Sequence, residues 1–364
     1  MTTPLENIIR EVYRAAERVF PKVRSKLLEL SREVNKLSTE FANPIERSKL
    51  RYIVVTVDSG FIKLKYANFA IAIVVAHAIS SVGKGQVVNV AAEPVMIKTL
   101  KRSEYALHYV SKIIEYRCLH NVLEKVLREK TSEDVVVLLD GALTYPEERT
   151  DDIELTKLYQ EYRREYEKVL AILESYRDRT YVVAIAKDLP VDKYLDALEE
   201  LTEYRGVEKF RSLHTWLCRA TELLHERTAV DILLRARGVP SYLHPVRVDN
   251  LRKYRAPTVP QISRYGVYGT YVKLTHLRRP LYVEFIGWNL PKVSTLMTVL
   301  YETSIYSPRP GYPAPLFIVD RLTKVDKAIA RAIATAIEYA AKHALGELYV
   351  QVFTPTLREE YEHY

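Results

Sequence analysis

Between Ile53 and Asp58 the chain reads Ile-Val-Val-Thr-Val-Asp, five β-branched residues ending on a carboxylate. A run with almost no polar alternation predicts a central strand buried on both faces. Ser59 and Gly60 follow at once, and Phe61, Leu64 and Tyr66 resume a β pattern. The spacing predicts a turn over Ser-Gly into a hairpin, leaving Asp58 at the lip of a sheet. Upstream, apolar residues at helical spacing (Ile8, Ile9, Val12, Ala16, Val19, then Val23, Leu27, Leu30, Val34, Leu37) predict two helices, or one kinked at Pro21. Downstream, strands are predicted at about 61–67, 69–77 and 86–98, the last two joined by the step SSVGKG at 80–85. Ser103 opens a long helix reaching about Lys130, and Val135–Leu139 is another buried strand, ending on Asp140.

A very polar helix follows at 151–178, then a strand at Tyr181–Ala186 that ends on Lys187 and Asp188. Helices are predicted at about 191–204 and 211–237, further strands within 241–287, a helix at about 322–345 and an edge strand at Leu348–Phe353. Three strands, a helix and a strand, with acids closing the first strand and the strand after the helix, is the core order of the ribonuclease H-like fold. The expected class is therefore α/β: a ribonuclease H-like mixed sheet with flanking helices and an inserted helical/β region. Its parts would be an N-terminal helical region (1–50), the core (51–190), an inserted basic region (191–290) and a segment completing the core (291–364).

Hydrophobic residues make up 48% of the 364, which excludes wholesale disorder. No apolar run approaches the ~20 residues needed to span a bilayer, and the first twenty residues have acids where a secretory signal would be apolar. A cytoplasmic protein is expected. Cys118 and Cys218 lie in apolar helical patterns, which predicts two buried thiols rather than a disulfide or zinc site. A charged fraction of 27% with four glutamines leans towards a thermophile. The net charge of +8 is unevenly placed, with fifteen Lys/Arg against five Asp/Glu in 205–280. Such a block favours a polyanion. Within it Tyr242, Tyr254, Tyr265, Tyr268, Tyr271 and Tyr282 are interleaved with Arg247, Arg252, Lys253, Arg255, Arg264, Arg278 and Arg279. That pattern suits single-stranded nucleic acid and equally suits strand packing. Arg252, Lys253 and Arg255, with Lys187, are the candidate DNA-binding residues.

Asp58 and Asp140 would lie at the same end of adjacent parallel strands, where a carboxylate is costly unless paired or metal-bound. The long helix is the natural source of another oxygen ligand. Asp140 stands roughly 20 Å up its strand at ~3.3 Å per residue, which an antiparallel helix ending near Glu129 matches after roughly thirteen residues at ~1.5 Å each. That height selects Glu115; Glu124 would lie only about a third of the way up and Glu104 above the site.

At these residues the chain resembles a known family. VDSG at Asp58, EYRCL at Glu115, LLDGAL at Asp140, AIAKD at Lys187 and GYPAPLFIVD from Gly311 to Asp320, in this order, are similar to the NurA family of archaeal DNA-end-processing nucleases. The resemblance implies a manganese-dependent 5′ to 3′ exonuclease and single-strand endonuclease, dimeric, acting with a hexameric HerA translocase in double-strand-break resection. It implies that Asp58, Glu115 and Asp140 bind metal and that Tyr312 belongs to the active site. The family has His eight residues after that Tyr, and this chain has Asp320, which would serve as an oxygen ligand for Mn²⁺ or Mg²⁺. In a two-metal site the ions activate water on one side of the phosphodiester and stabilise the leaving oxygen on the other.

Two rival readings are weaker. Asp58, Gly60 and Lys63 resemble the first phosphate loop of actin-like ATPases, but the second glycine-rich hairpin and the Gly-Gly adenosine loop are missing, and Walker, Rossmann, HExxH and zinc-finger signatures are absent. A translocase adaptor that binds DNA without cutting is the non-enzymatic alternative.

Overall fold

The β-branched run at Ile53 forms the middle of a wide mixed sheet. The computed structural model describes residues 4–47, 51–65, 70–81, 87–97, 103–129, 133–144, 153–186, 193–249, 251, 259–324 and 327–346. Its strands are β1 (Ala42–Pro44), β2 (Tyr52–Lys65), β3 (Ala70–Ser80), β4 (Val87–Ile97), β5 (Asp134–Asp140), β6 (Thr180–Ala186), β7 (Ser241–Leu243), β8 (Val246–Arg247), β9 (Val267–Lys273) and β10 (Leu281–Ile286). The helices are α1 (Pro4–Phe41), α2 (Ser103–Arg128), α3 (Ile153–Ser175), α4 (Lys193–Glu199), α5 (Arg211–Thr221), α6 (Glu226–Ala236), α7 (Pro260–Tyr265), α8 (Val293–Ile305), α9 (Ala314–Thr323) and α10 (Lys327–Leu345).

All ten strands join one sheet in the order β1-β7-β9-β10-β6-β5-β2-β3-β4, with β8 paired to β9. Strands β2, β3 and β4 are an antiparallel meander, while β5 runs parallel to β2 and β6 parallel to β5. That half is the ribonuclease H-like core. The chain after residue 191 continues the same sheet, because β10 pairs antiparallel with β6 and β9 with β10.

The strand alternation sorts the core into two layers. Ile53, Val55 and Val57 of β2 and Val135, Val137 and Leu139 of β5 pack towards α2 and α3. Val54, Val136 and Leu138 face the other way, against Leu296 and Leu300 of α8 and Leu316 and Val319 of α9.

Three expectations need correcting. Strand β2 does not turn at Ser59-Gly60 but runs through to Lys65, because β3 stays paired with it along that whole length, from Val55↔Ser80 to Lys65↔Ala70. The helix expected at 211–237 is two, α5 ending at Thr221 and α6 starting at Glu226, whereas the N-terminal pattern takes the single-helix reading, with Pro21 inside α1. The helix expected at 322–345 is two, α9 ending at Thr323 and α10 starting at Lys327. The edge strand expected at 348–353 lies outside the described residues. Among the described residues no helix is long and apolar enough to cross a membrane.

Candidate metal centre

The site forms where parallel pairing stops. Partners β2 and β5 are in register from Tyr52↔Asp134 to Val57↔Leu139, so Asp58 and Asp140 are the next residue on each strand. Both share parity with the α8–α9 face, since they follow Thr56 and Leu138 by two. Gly141 then turns the backbone away with φ 108°, a conformation other residues rarely adopt, and its N–H donates to Ile185 O at 2.9 Å. The Asp-Gly pair is thus a strand ending: one residue presents the carboxylate and the next removes the chain.

Helix α9 crosses this face and brings Asp320. Oxygens of Asp58, Asp140 and Asp320 all lie within 4.8 Å of one another, each side chain half-buried. Asp320 lies in the last turns of α9, paired with exposed Lys324 at 3.0 Å. Tyr312 is buried beside the acids. Burial, and then the charges of Asp140, Asp58 and Asp320, push its phenol well above the usual range, so it holds its proton at neutral pH.

Two contacts seat α9. Thr323 Oγ1 lies 3.2 Å from Asp58 Oδ2 and 3.1 Å from the Asp320 carbonyl, so it can donate to either. Gly60 lets the helix end approach, because a Cβ there would sit 2.5 Å from Thr323 O. Gly60 therefore serves a close approach rather than a turn. Gly60→Ala should cost ~1–3 kcal/mol of stability as α9 is pushed off β2. It should also weaken metal binding, and melting curves with and without Mn²⁺ measure both effects.

Glu115 comes from α2, which packs on the opposite face, and meets the site across the lip. Its Oε1 accepts from Ser59 at 2.5 Å and its Oε2 from Lys112 Nζ at 2.7 Å. It is buried, and it is not part of the three-aspartate group. Glu124 instead pairs with Arg128 a turn from the end of α2. The sequence marks Ser59 only as a turn residue, Lys112 only through its i,i+3 spacing to Glu115, and gives Thr323 no role at the site.

Comparison with known proteins gives this arrangement a family. A family model described as the NurA domain matches residues 52–325. The chain belongs to the NurA family. No curated protein sequence matches it. Among solved structures, the NurA nuclease from Sulfolobus solfataricus superposes with TM-score 0.57 at 14% identity, covering 93% of this chain and 99% of that one. A NurA structure with manganese gives 0.54 at 12% identity, covering 91% of this chain and 98% of that one. A NurA bound to dAMP and manganese also gives 0.54 at 12%, covering 90% and 96%. These likenesses establish the NurA fold.

Lys187, Tyr254, Arg252, Lys253 and Arg255 fall outside the described residues. Within the basic block, many charges are locally balanced: Lys273 and Arg235 by Asp231, Arg247 by Asp249, Arg219 by Glu33 and Arg264 by Glu174. Tyr242, Tyr271 and Tyr282 are buried, so their alternation is core packing. Cys118 is buried as expected, but Cys218 is exposed, its Sγ 3.3 Å from His214 Nε2. His214 is in α5, and His225 caps α6.

One turn before Lys112 on α2, His108 has its imidazole pushed down to about 4 by burial and by the Lys112 charge. Its folded value lies below its unfolded one, so below pH ~6.5 the unfolded chain takes up a proton that the native one refuses. Stability is complete above that pH and falls as pH drops towards 4. His108→Gln should remove a destabilisation of roughly 3 kcal/mol between pH 7 and 4, read as the difference between the two proteins' unfolding curves across that range.

Proposed function

We propose that this protein is a divalent-metal-dependent DNA nuclease. Asp58, Asp140 and Asp320 hold the metal, Glu115 is an additional ligand, and Tyr312 donates a hydrogen bond to the substrate phosphate. The observation that carries this reading is the convergence of the three aspartates within 4.8 Å, with the buried Tyr312 close enough to feel their charges. The residues fit the ion. Three half-buried carboxylates this close repel one another, and an all-oxygen donor set is the kind that hard Mn²⁺ or Mg²⁺ prefers. Family relatives whose structures hold manganese, or dAMP with manganese, support a divalent ion and a nucleotide substrate.

A bound divalent ion would supply Lewis acidity, lowering the pKa of water and stabilising charge on the leaving oxygen, and two ions at these carboxylates would divide those tasks. The chain supplies geometry. Thr323 orients the Asp58 carboxylate, and the Asp140-Gly141 ending fixes the second. Tyr312 Oη retains its proton and can donate to a phosphate oxygen, a role an ionised Asp320 cannot fill. The exposed Arg309 guanidinium lies 5.4 Å from the centroid of the Tyr312 ring, placed to attract the DNA backbone. Lys187, Arg252, Lys253 and Arg255 are proposed to extend that contact.

In this reading the protein is a 5′ to 3′ exonuclease and single-strand endonuclease on DNA ends, working in the cytoplasm as a homodimer with a HerA-type hexameric ATPase. Helix α1 supports the dimer. Its apolar residues Leu30, Val34, Leu37 and Phe41 are buried in its own chain, whereas Phe20 and Leu28 are 67% and 54% exposed.

The test is cleavage of linear and single-stranded DNA with Mn²⁺, with Mg²⁺ and with chelator. Loss of cleavage on chelation supports the proposal, and no cleavage of either DNA with either metal sinks it. Asp320 refines it. Because imidazole favours softer ions than carboxylate, Asp320→His should keep Mn²⁺ activity and lose proportionally more Mg²⁺ activity. Asp320→Asn should lower turnover more than DNA affinity. If Asp320→Asn leaves metal stoichiometry and rate intact, Asp320 is not a ligand.

A further inference from the structure

We infer that Lys112 is a built-in counter-cation that competes with the metal for Glu115, so that an ion drawing on Glu115 must first displace the Lys112 ammonium. The inference rests on the metal site proposed above and goes beyond it in naming what holds that site together before loading. Lys112 Nζ lies 2.7 Å from Glu115 Oε2 and 3.2 Å from the Asp140 carbonyl oxygen, and its side chain is only 12% exposed. One ammonium therefore ties α2 to the end of β5 at the acidic lip. The other Glu115 oxygen accepts from Ser59, the residue after Asp58. Glu115 is thus held at the rim by one neutral and one charged donor, while the three aspartates lie together without it.

This arrangement divides the ligands. The aspartates can accept an ion with Lys112 in place. An ion that also uses Glu115 Oε2 faces a fixed positive charge at hydrogen-bond distance from that oxygen, in a part of the protein where little water screens it. Lysine suits the task because its four-carbon stem lets the ammonium swing away without moving the helix. Lys324, by contrast, is 66% exposed beside Asp320 and is screened by solvent.

Calorimetric titration of the full chain with Mn²⁺ alone, without DNA, tests the inference independently of activity. The wild type should bind one ion tightly and a second more weakly. Lys112→Met, which keeps the stem and removes the charge, should strengthen the weaker event roughly fivefold or more at low salt. Lys112→Arg should stay within about twofold of wild type. Glu115→Gln should lose the weaker event, and adding Lys112→Met to it should restore nothing. The inference is overturned if the Lys112→Met isotherm superimposes on wild type or is weaker, or if the gain persists in the Glu115→Gln background. A wild type that binds no Mn²⁺ overturns the metal site itself, an outcome distinguishable from the others.

Discussion

Replacing Asp58 or Asp140 with alanine is expected to lower metal-dependent DNA cleavage by on the order of 10³-fold or more, because each removes an oxygen ligand where charge develops. DNA binding in the absence of metal should persist, since neither side chain can attract a phosphate. Stability separates this from a folding defect. Asp58 and Asp140 sit with Asp320 in a group whose oxygens lie within 4.8 Å, so deleting one relieves repulsion in the metal-free protein. The metal-free melting temperature should hold or rise, and the increase on adding Mn²⁺ should shrink, because stabilisation by a ligand follows its affinity. Asp58→Asn is the milder companion, keeping an acceptor for Thr323. Wild-type cleavage by either alanine variant would mean that these acids are not the metal ligands.

The placement of the candidate site was legible where a local rule fixed it. Five β-branched residues closed by a carboxylate announced β2, and a second apolar run closed by Asp-Gly announced β5; strand parity then forced both acids onto one face. Helix rise favours Glu115 over Glu124, and in the structure Glu115 reaches the lip through Ser59 while Glu124 pairs with Arg128 a turn from the end of α2. What could not be read depended on contacts distant in sequence. Gly60 looked like a turn because glycine permits turns, but here the missing side chain makes room for Thr323, which no local window contains. The Tyr and Arg interleaving had two equal readings, and burial of Tyr242, Tyr271 and Tyr282 decides for packing at those positions. Local charge excess also misled about free charge, since Glu33 and Glu174, acids from outside the basic block, neutralise part of it.

The largest stability effect is expected at Glu284, far from the aspartates in sequence but coupled to Asp140 through the loop that follows it. Glu284 sits on β10 facing Ala184 of β6, is fully buried, and reaches across to the chain leaving β5. Its carboxylate accepts from the Leu143 N–H at 2.8 Å, the Thr144 N–H at 3.0 Å and Thr144 Oγ1 at 2.9 Å, and it forms an ion pair with the equally buried Lys193. One carboxylate thus satisfies two backbone donors, a hydroxyl and an ammonium, and fixes where the chain goes after Gly141. Glu284→Ala should destabilise by ~3–5 kcal/mol, the cost of stranding a buried charge, with orphaned backbone N–H groups adding to it. Because the Asp140-Gly141 ending loses its anchor, cleavage by the protein that remains folded should fall as well. Lys193→Met should cost less, since Glu284 keeps its three neutral donors. The double variant should cost less than the sum of the two, because the ammonium stranded by Glu284→Ala is then absent. Urea unfolding of the four proteins measures the cycle. A Glu284→Ala protein within about 1 kcal/mol of wild type would show that the network is not what holds this loop, since stranded buried charges do not cost so little.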